Sequence, residues 1–431
     1  MKVVENLKEF LKSGHLPTLL TAFLYFDVCF SVWVVNGAMA PFISQEFKLT
    51  AAQKGFMVSV PVFSGALMRF PLGIVAQYIG RKRAAMLEMG VISACLVWGY
   101  FFTSSLGAVL AMGIALGVAG ASFGVALSLG SGWYPPKYKG LAMGIAGAGN
   151  SGTVIAMLAA PPLALAFGWR TVYLLGLIPM VLAMILLQIF AKEPPDREEK
   201  RLKDYLKILV DRDAWIFNLV YSVTFGGFIG LASFLPTLFH DHYHIPKQYV
   251  GIYVTVGVVA ASGLRVVGGW LADHLGGIRV LYLLCAVILL GVGAAATLPN
   301  SAIAMALVIA LAMGAMGAGN GAVFQLVPLR FKGDTAVAGS LIGEVGALAG
   351  GFLPNAMGLG KQYFDTFTPG FLGGATLTVL ALAIITYVTR DWTSTWVGAH
   401  GKALEPGQRP PEPEFPTGTD LPGVRPVEEV P

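Results

Sequence analysis

Charge is scarce in this sequence. Lysine, arginine, aspartate and glutamate make up 12% of its 431 residues, whereas 55% are hydrophobic. Soluble domains carry about a quarter charged residues, so a water-soluble protein of this length could not cover its surface. Cysteine is scarcer: Cys29, Cys95 and Cys285 stand singly in separate apolar stretches. That excludes a disulfide framework and a cysteine metal cluster. No lysine follows the glycine-rich stretches at the spacing of a phosphate-binding loop. No nucleophile–base set or cofactor fingerprint is visible, so neither an enzyme nor a nucleotide-driven pump is expected, and no cofactor. The alternating histidines of HDHYH (240–244) lack a distant cysteine or histidine cluster, and no metal site is expected there.

Apolar length is what the chain has in abundance. A helix needs roughly 20 apolar residues to cross a bilayer. Twelve such runs occur, at about 17–43, 52–79, 84–104, 107–131, 139–168, 170–191, 214–240, 248–275, 278–298, 301–327, 335–362 and 368–390. The sequence therefore predicts an all-α membrane protein with the lipid bilayer as its solvent.

The basic residues sort by side. Twenty-two of them, including Lys2, Arg81, Lys82, Arg83, Lys137 and Arg330, fall before the first span or after an even-numbered one. Only Lys48, Lys54, Arg170, Lys247 and Lys361 fall on the other side. Cytoplasmic loops retain lysine and arginine, so both termini are expected in the cytoplasm of a cell inner membrane. This placement accounts for the formal charge of +5 and argues against nucleic acid as a partner. The N-terminus lacks a short apolar core followed by a small-residue cleavage site, and no removable signal peptide is expected. Two basic residues remain, Arg69 and Arg265, and both lie inside spans.

The chain divides at its most polar internal stretch. Residues 1–191 form a first six-span half, 192–213 a linker, 214–390 a second six-span half, and 391–431 a Pro-, Gly- and Glu-rich tail. A tail of that composition cannot bury a core and is expected to be disordered. The halves repeat. MRFPLGIVAQYIGRKR (68–83) aligns without gaps on LRVVGGWLADHLGGIR (264–279), matching Arg69 to Arg265 and Gly80 to Gly276. GASF (120–123) matches GAVF (321–324). Gly140, Gly144, Ala148 and Gly152 match Gly339, Gly343, Ala347 and Gly351. The four-residue spacing places each set on one helix face, where another backbone can approach closely. Six spans followed by six related ones predict two pseudo-symmetric halves about an axis normal to the membrane.

These residues resemble the nitrate/nitrite porter family of the major facilitator superfamily. The superfamily loop motif is matched by GIVAQYIGRKR (73–83) and GGWLADHLGGIR (268–279). The more specific features are the two arginines, GASF and GNGAVFQ in spans four and ten, GAGNSG (147–152) in span five, and GEVGALAGG (343–351) in span eleven. Two positions depart from the pattern: Gln77 where aspartate is usual, although Asp273 is kept, and Glu344 within a glycine-rich signature. The resemblance implies the major facilitator fold of twelve helices. It also implies that Phe123 and Phe324 sandwich the substrate, that Asn150 orients it and that Tyr221 faces it. Phe225, Gln325 and Trp33 are weaker pocket-lining candidates. Gly147, Gly149, Gly152, Gly343, Gly346, Gly350 and Asp273 are expected in helix packing and gating.

Physical chemistry converges on the same site. An arginine deep in a span faces the bundle interior, a water-filled cavity or a partner charge. Asp27, Glu88, Glu344 and Asp273 are the acids within reach of a structural ion pair. Two arginines at equivalent places in a repeat both approach the axis, where they repel unless an anion lies between them. A guanidinium is a planar fork and keeps its proton on burial more securely than lysine. Two such forks fit a small planar oxyanion through charge-assisted hydrogen bonds. The reading is a monomeric secondary carrier of nitrate and nitrite working by alternating access, either as an antiporter or with protons. Glu344, buried beside the cavity, would supply the proton site. The alternatives are a carrier of a formate- or oxalate-like anion and a nitrate sensor that does not transport.

Overall fold

The computed structural model describes residues 9–195, 207–332 and 335–404. Twelve helices are long and apolar enough to span a bilayer: α1 Leu16–Trp33, α2 Ala51–Ile79, α3 Arg81–Phe102, α4 Leu106–Ser131, α5 Tyr138–Phe167, α6 Trp169–Phe190, α7 Arg212–Asp241, α8 Lys247–Leu275, α9 Gly277–Ala296, α10 Ala302–Arg330, α11 Val337–Phe364 and α12 Thr368–Thr393. No strand occurs among the described residues. This is the all-α architecture expected from the hydropathy. Twelve being even, the chain enters and leaves at one end of the bundle, here called the terminal end; the opposite one is the far end.

The repeat is visible in how helices start and turn. Ser105 opens α4 by accepting a hydrogen bond from the Ala108 N–H at 3.2 Å, and Ser301 opens α10 through the Ala304 N–H at 3.4 Å. Gly80 and Gly276 turn the chain between α2 and α3 and between α8 and α9 with φ of +94° and +95°. Such backbone disfavours any side chain, which accounts for glycine at both matched positions. The segment after each half's last helix then seals its turn. Glu193 accepts from the Arg81 and Lys82 N–H groups at 2.7 and 2.9 Å, placing a carboxylate on the positive end of α3. In the second half His400 backbone lies against Gly276, and Gly401 against Ile278. Glu193→Ala is expected to cost about 1–2 kcal/mol, as for loss of a helix cap. A fall in melting temperature in detergent checks this.

Central and peripheral helices differ in burial. The most apolar window of α7 is 89% buried and that of α1 72%, against 28% for α6 and for α12. Burial thus places α1 and α7 inside and leaves α6 and α12 to cover the outside with exposed leucines and isoleucines such as Leu182, Ile189 and Leu380, which suits contact with lipid.

One boundary differs from the sequence expectation. The tail predicted from Asp391 does not begin there: helix continues through Thr395, and Trp392 and Val397 are buried. The Trp392 indole donates to Asp213 at 2.9 Å, so aromatic residues that the tail's composition outweighed bury its first turns. Residues 405–431 lie outside the described residues, as does 196–206 of the linker.

The halves meet at the far end. Lys54 pairs with Asp241 at 2.5 Å, and the Ala52 N–H donates to Gln362 Oε1 at 3.0 Å. Gly55 packs on the Pro354 carbonyl, and Gly251 on the Met157 carbonyl. At the terminal end Gly140 is exposed, and a Cβ added there or at Gly144 would meet nothing within 4 Å. The contacts between the halves close the bundle at the far end.

Candidate anion site

Three helices lose regular geometry at one level. In α4 a 3₁₀ turn covers Val118–Ala121, in α5 another covers Ala148–Ser151, and in α7 a π turn covers Ser222–Gly226. Such irregularities release backbone carbonyls from the helical ladder and recur at functional sites. Here they flank Phe123, carry Asn150 and present Tyr221 and Phe225.

Arg69, on α2, is 3% exposed. Its Nε donates to the Gly120 carbonyl of the α4 turn at 3.0 Å, and its Nη1 donates across the halves to the Gly343 carbonyl of α11. Trp33, Phe123 and Phe225 rings surround the guanidinium at 5.7, 5.2 and 5.2 Å, within cation–π range. Nη2 is buried without a partner. Arg265, on α8, is 7% exposed. It forms no ion pair among the described residues, its Nη1 is buried and unpartnered, and its side chain lies within reach of the Tyr221 hydroxyl. Its guanidinium lies 5.6 Å from the same Phe123 ring that Arg69 approaches. Arg69 is anchored to two backbone carbonyls, Arg265 faces Tyr221, and one ring from the first half serves both.

Among the described residues no carboxylate forms an ion pair with either arginine. Asp27 accepts from Ser151 at 2.6 Å, Glu88 accepts from Tyr25, and Asp273 is exposed with no bond. Glu344 is half-buried and within coulombic range of Arg69, yet no ion pair forms. Like charges drawn together this way raise the energy of the empty site.

The other expected residues assemble around the pair. Tyr221 is fully buried with an unpartnered hydroxyl, within coulombic range of both guanidiniums. Asn150 is 1% exposed, and both atoms of its amide lack partners. It follows Gly147 by one turn, and a Cβ at Gly147 would lie 3.6 Å from Arg265 Nη2. Arg69, Arg265, Tyr221 and Asn150 each hold at least one buried polar atom without a partner among the described residues.

The aromatic geometry differs from a sandwich of Phe123 on Phe324. Those rings are 6.0 Å apart and inclined at 66°, touching each other edge to face. The ring that stacks on Phe123 is Phe225, at 6.3 Å and 25°. Tyr221 stacks on Phe225 at 5.2 Å and 8° and meets Phe324 edge-on at 5.4 Å. Phe225 and Trp33 thus belong to the site. Gln325 does not: its Oε1 packs beside Gly277 at the start of α9.

The glycines separate into groups. Gly149 and Gly152 pack on α1, and Gly346 and Gly350 on α7, so both sets act within a half. Gly343 and Gly147 face across it, toward Arg69 and Phe123 and toward Arg265. Sequence reasoning missed Asn320 and Thr224. Both are fully buried with unpartnered polar atoms. Four residues separate Asn320 from Phe324, and that helical spacing could have revealed it.

Comparison with known proteins bears on the family and the fold. The family model of the Major Facilitator Superfamily matches residues 21–354. A protein of Staphylococcus haemolyticus named probable nitrate transporter NarT is 30% identical over 86% of this chain and 94% of its own length. The nitrite extrusion protein of Bacillus subtilis is 28% identical over 83% and 91%. The probable nitrate/nitrite antiporter NarK1 of Thermus thermophilus is 29% identical over 80% and 84%. Among solved structures, the xylose transporter XylE from E. coli superposes with a TM-score of 0.70 at 15% identity, over 87% of this chain and 98% of that one, a likeness of fold. With its paired intramembrane arginines, the chain belongs to the Major Facilitator Superfamily and, within it, to the nitrate/nitrite porter family.

Proposed function

We propose that this protein is a secondary transporter of nitrate and nitrite that works by alternating access, with both termini and the linker in the cytoplasm. The observation that carries the reading is the pair of buried guanidiniums, one from each half, that share the Phe123 ring and have no carboxylate partner. Burying charge without a counter-charge is costly. A small planar oxyanion removes that cost by accepting the free N–H groups of both arginines, with Tyr221 and Asn150 donating from the side. The relatives' names, nitrate transporter and nitrite extrusion protein, support the choice of anion. Each chain supplies both arginines itself, so a monomer is a complete unit.

Exchange follows from the electrostatics. Without anion the two cations repel, and the occluded state through which the halves must pass is disfavoured. An anion cancels the repulsion, so the loaded carrier turns over and the empty one does not. In liposomes holding the purified protein, nitrate entry is expected to require nitrite or nitrate inside. Entry that is equally fast into anion-free liposomes would refute obligate exchange, and stronger competition by formate or oxalate than by nitrite would refute the substrate. Absence of any flux would favour a sensor.

Glu344 supports a second mode. Its carboxylate lies near Arg69 without pairing, so its proton can come and go with the anion. Glu344→Gln is expected to abolish uptake driven by a pH gradient while sparing nitrate/nitrite counterflow. Proton-driven uptake that survives the substitution would remove Glu344 from the mechanism.

A further inference from the structure

Asn320 and Thr224 lie just to the far side of Phe324 and Tyr221. Helix α10 runs from the far end to the terminal end, so Asn320 lies one turn to the far side of Phe324 and on the same face. Helix α7 runs the opposite way, so Thr224 lies to the far side of Tyr221. The two helices touch here: a Cβ on Gly319 would press on Thr224 Cγ2 at 2.5 Å, and just below it Tyr221 meets Phe324 at 5.4 Å. Both side chains are 0% exposed. Asn320 Nδ2 and Oδ1 and Thr224 Oγ1 have no partner. Thr224 sits within the π turn, where regular helical bonding is already interrupted.

We infer that Asn320 and Thr224 form a second anion post, a neutral hydrogen-bonding subsite for the small oxyanion on the far side of the arginine pair. The inference rests on the anion-transport reading. The amide N–H and the threonine hydroxyl are donors that can accept the anion as it leaves the guanidiniums. A path for ions needs sites strong enough to enter and weak enough to leave, and neutral donors are weaker than guanidiniums. The repeat sharpens the assignment. GASF and GAVF place Ala119 opposite Asn320 in register, so α4 of the first half has no amide at the position matching Asn320. The two halves share the arginines and the phenylalanines, and they differ at this post, which the second half alone builds. The far end is closed in this conformation, and the post becomes reachable when it opens.

The test compares binding with turnover in the full chain. Nitrate affinity is measured by calorimetry in detergent, and nitrate/nitrite exchange in liposomes. Asn320→Ala and Thr224→Val are expected to leave affinity nearly unchanged while lowering maximal exchange by up to about tenfold, the effect of one neutral hydrogen bond to a passing anion. Asn320→Asp should be slower than Asn320→Ala because a carboxylate repels the anion, and Thr224→Ser should restore the threonine rate. Exchange at the wild-type rate in Asn320→Ala overturns the inference. So does an Asn320→Asp no slower than Asn320→Ala with both melting lower, which marks a packing role, or an affinity loss as large as the rate loss, which moves Asn320 into the central site. A wild-type protein that exchanges nothing sinks the transport reading as well; active wild type with active Asn320→Ala sinks this inference alone.

Discussion

Arg265→Lys is expected to weaken nitrate binding by roughly ten- to a hundredfold. Hydrogen bonds to charged groups contribute about 1.5–3 kcal/mol each, and about 1.4 kcal/mol corresponds to a factor of ten. Lysine keeps the charge but replaces a planar fork with a compact ammonium, and one of the two directed bonds to the oxyanion is lost. Arg265 forms no ion pair among the described residues, so the loss falls on the anion and on the neighbouring Tyr221 hydroxyl. Arg69→Lys should cost more, because Arg69 also donates to the Gly120 and Gly343 carbonyls and so ties α2 to α4 and α11. A buried lysine can shed its proton where arginine does not, so residual exchange in Arg265→Lys should fall more steeply with rising pH than exchange by the wild type. Calorimetry and exchange assays between pH 6 and 9 read both effects. Affinity within twofold of wild type would mean that Arg265 does not touch the anion.

Gly251→Ala should impair turnover while sparing binding. At the far end of α8 an added Cβ would overlap the Met157 carbonyl of α5. The parallel contact between α2 and α11 sets Gly55 against Pro354 and Gly358. These backbone approaches close the far end, and overpacking costs about 1–3 kcal/mol. The far-closed state should therefore lose roughly five- to a hundredfold in population, and exchange should fall with it. Nitrate binding at the arginine level should persist. Amide hydrogen exchange around Met157 and Gly251 should accelerate as the far end opens. Normal exchange in this variant would show that the contact is not part of the cycle.

The paired arginines and most of the site were legible in the sequence because the repeat placed them at matched positions in spans with few other charges. Phe123, Phe324, Asn150 and Tyr221 followed from the family signatures. What sequence spacing did not reveal were features of helix geometry. The π turn that brings Phe225 parallel to Tyr221, and the 3₁₀ turn that offers the Gly120 carbonyl to Arg69, leave no mark in hydropathy. The glycine stripe marked backbone proximity but not its partner: Gly152 serves α1, whereas Gly251 and Gly55, outside the stripe, join the halves. The start of the tail was misjudged because composition averages over its prolines and missed Trp392 and Val397.

The sequence by itself determined twelve spans, two related halves and two permanent cations within them. Backbone polar groups in lipid must bond internally, so long apolar runs have little choice but helix, and a duplicated pattern folds alike twice. Only the tertiary structure decided that Arg69 is anchored to two backbone carbonyls while Arg265 faces Tyr221, that Asp27 and Glu88 are engaged by Ser151 and Tyr25, and which end is shut. Each depends on residues up to several hundred positions apart meeting in space, and local pattern carries no information about which of them meet.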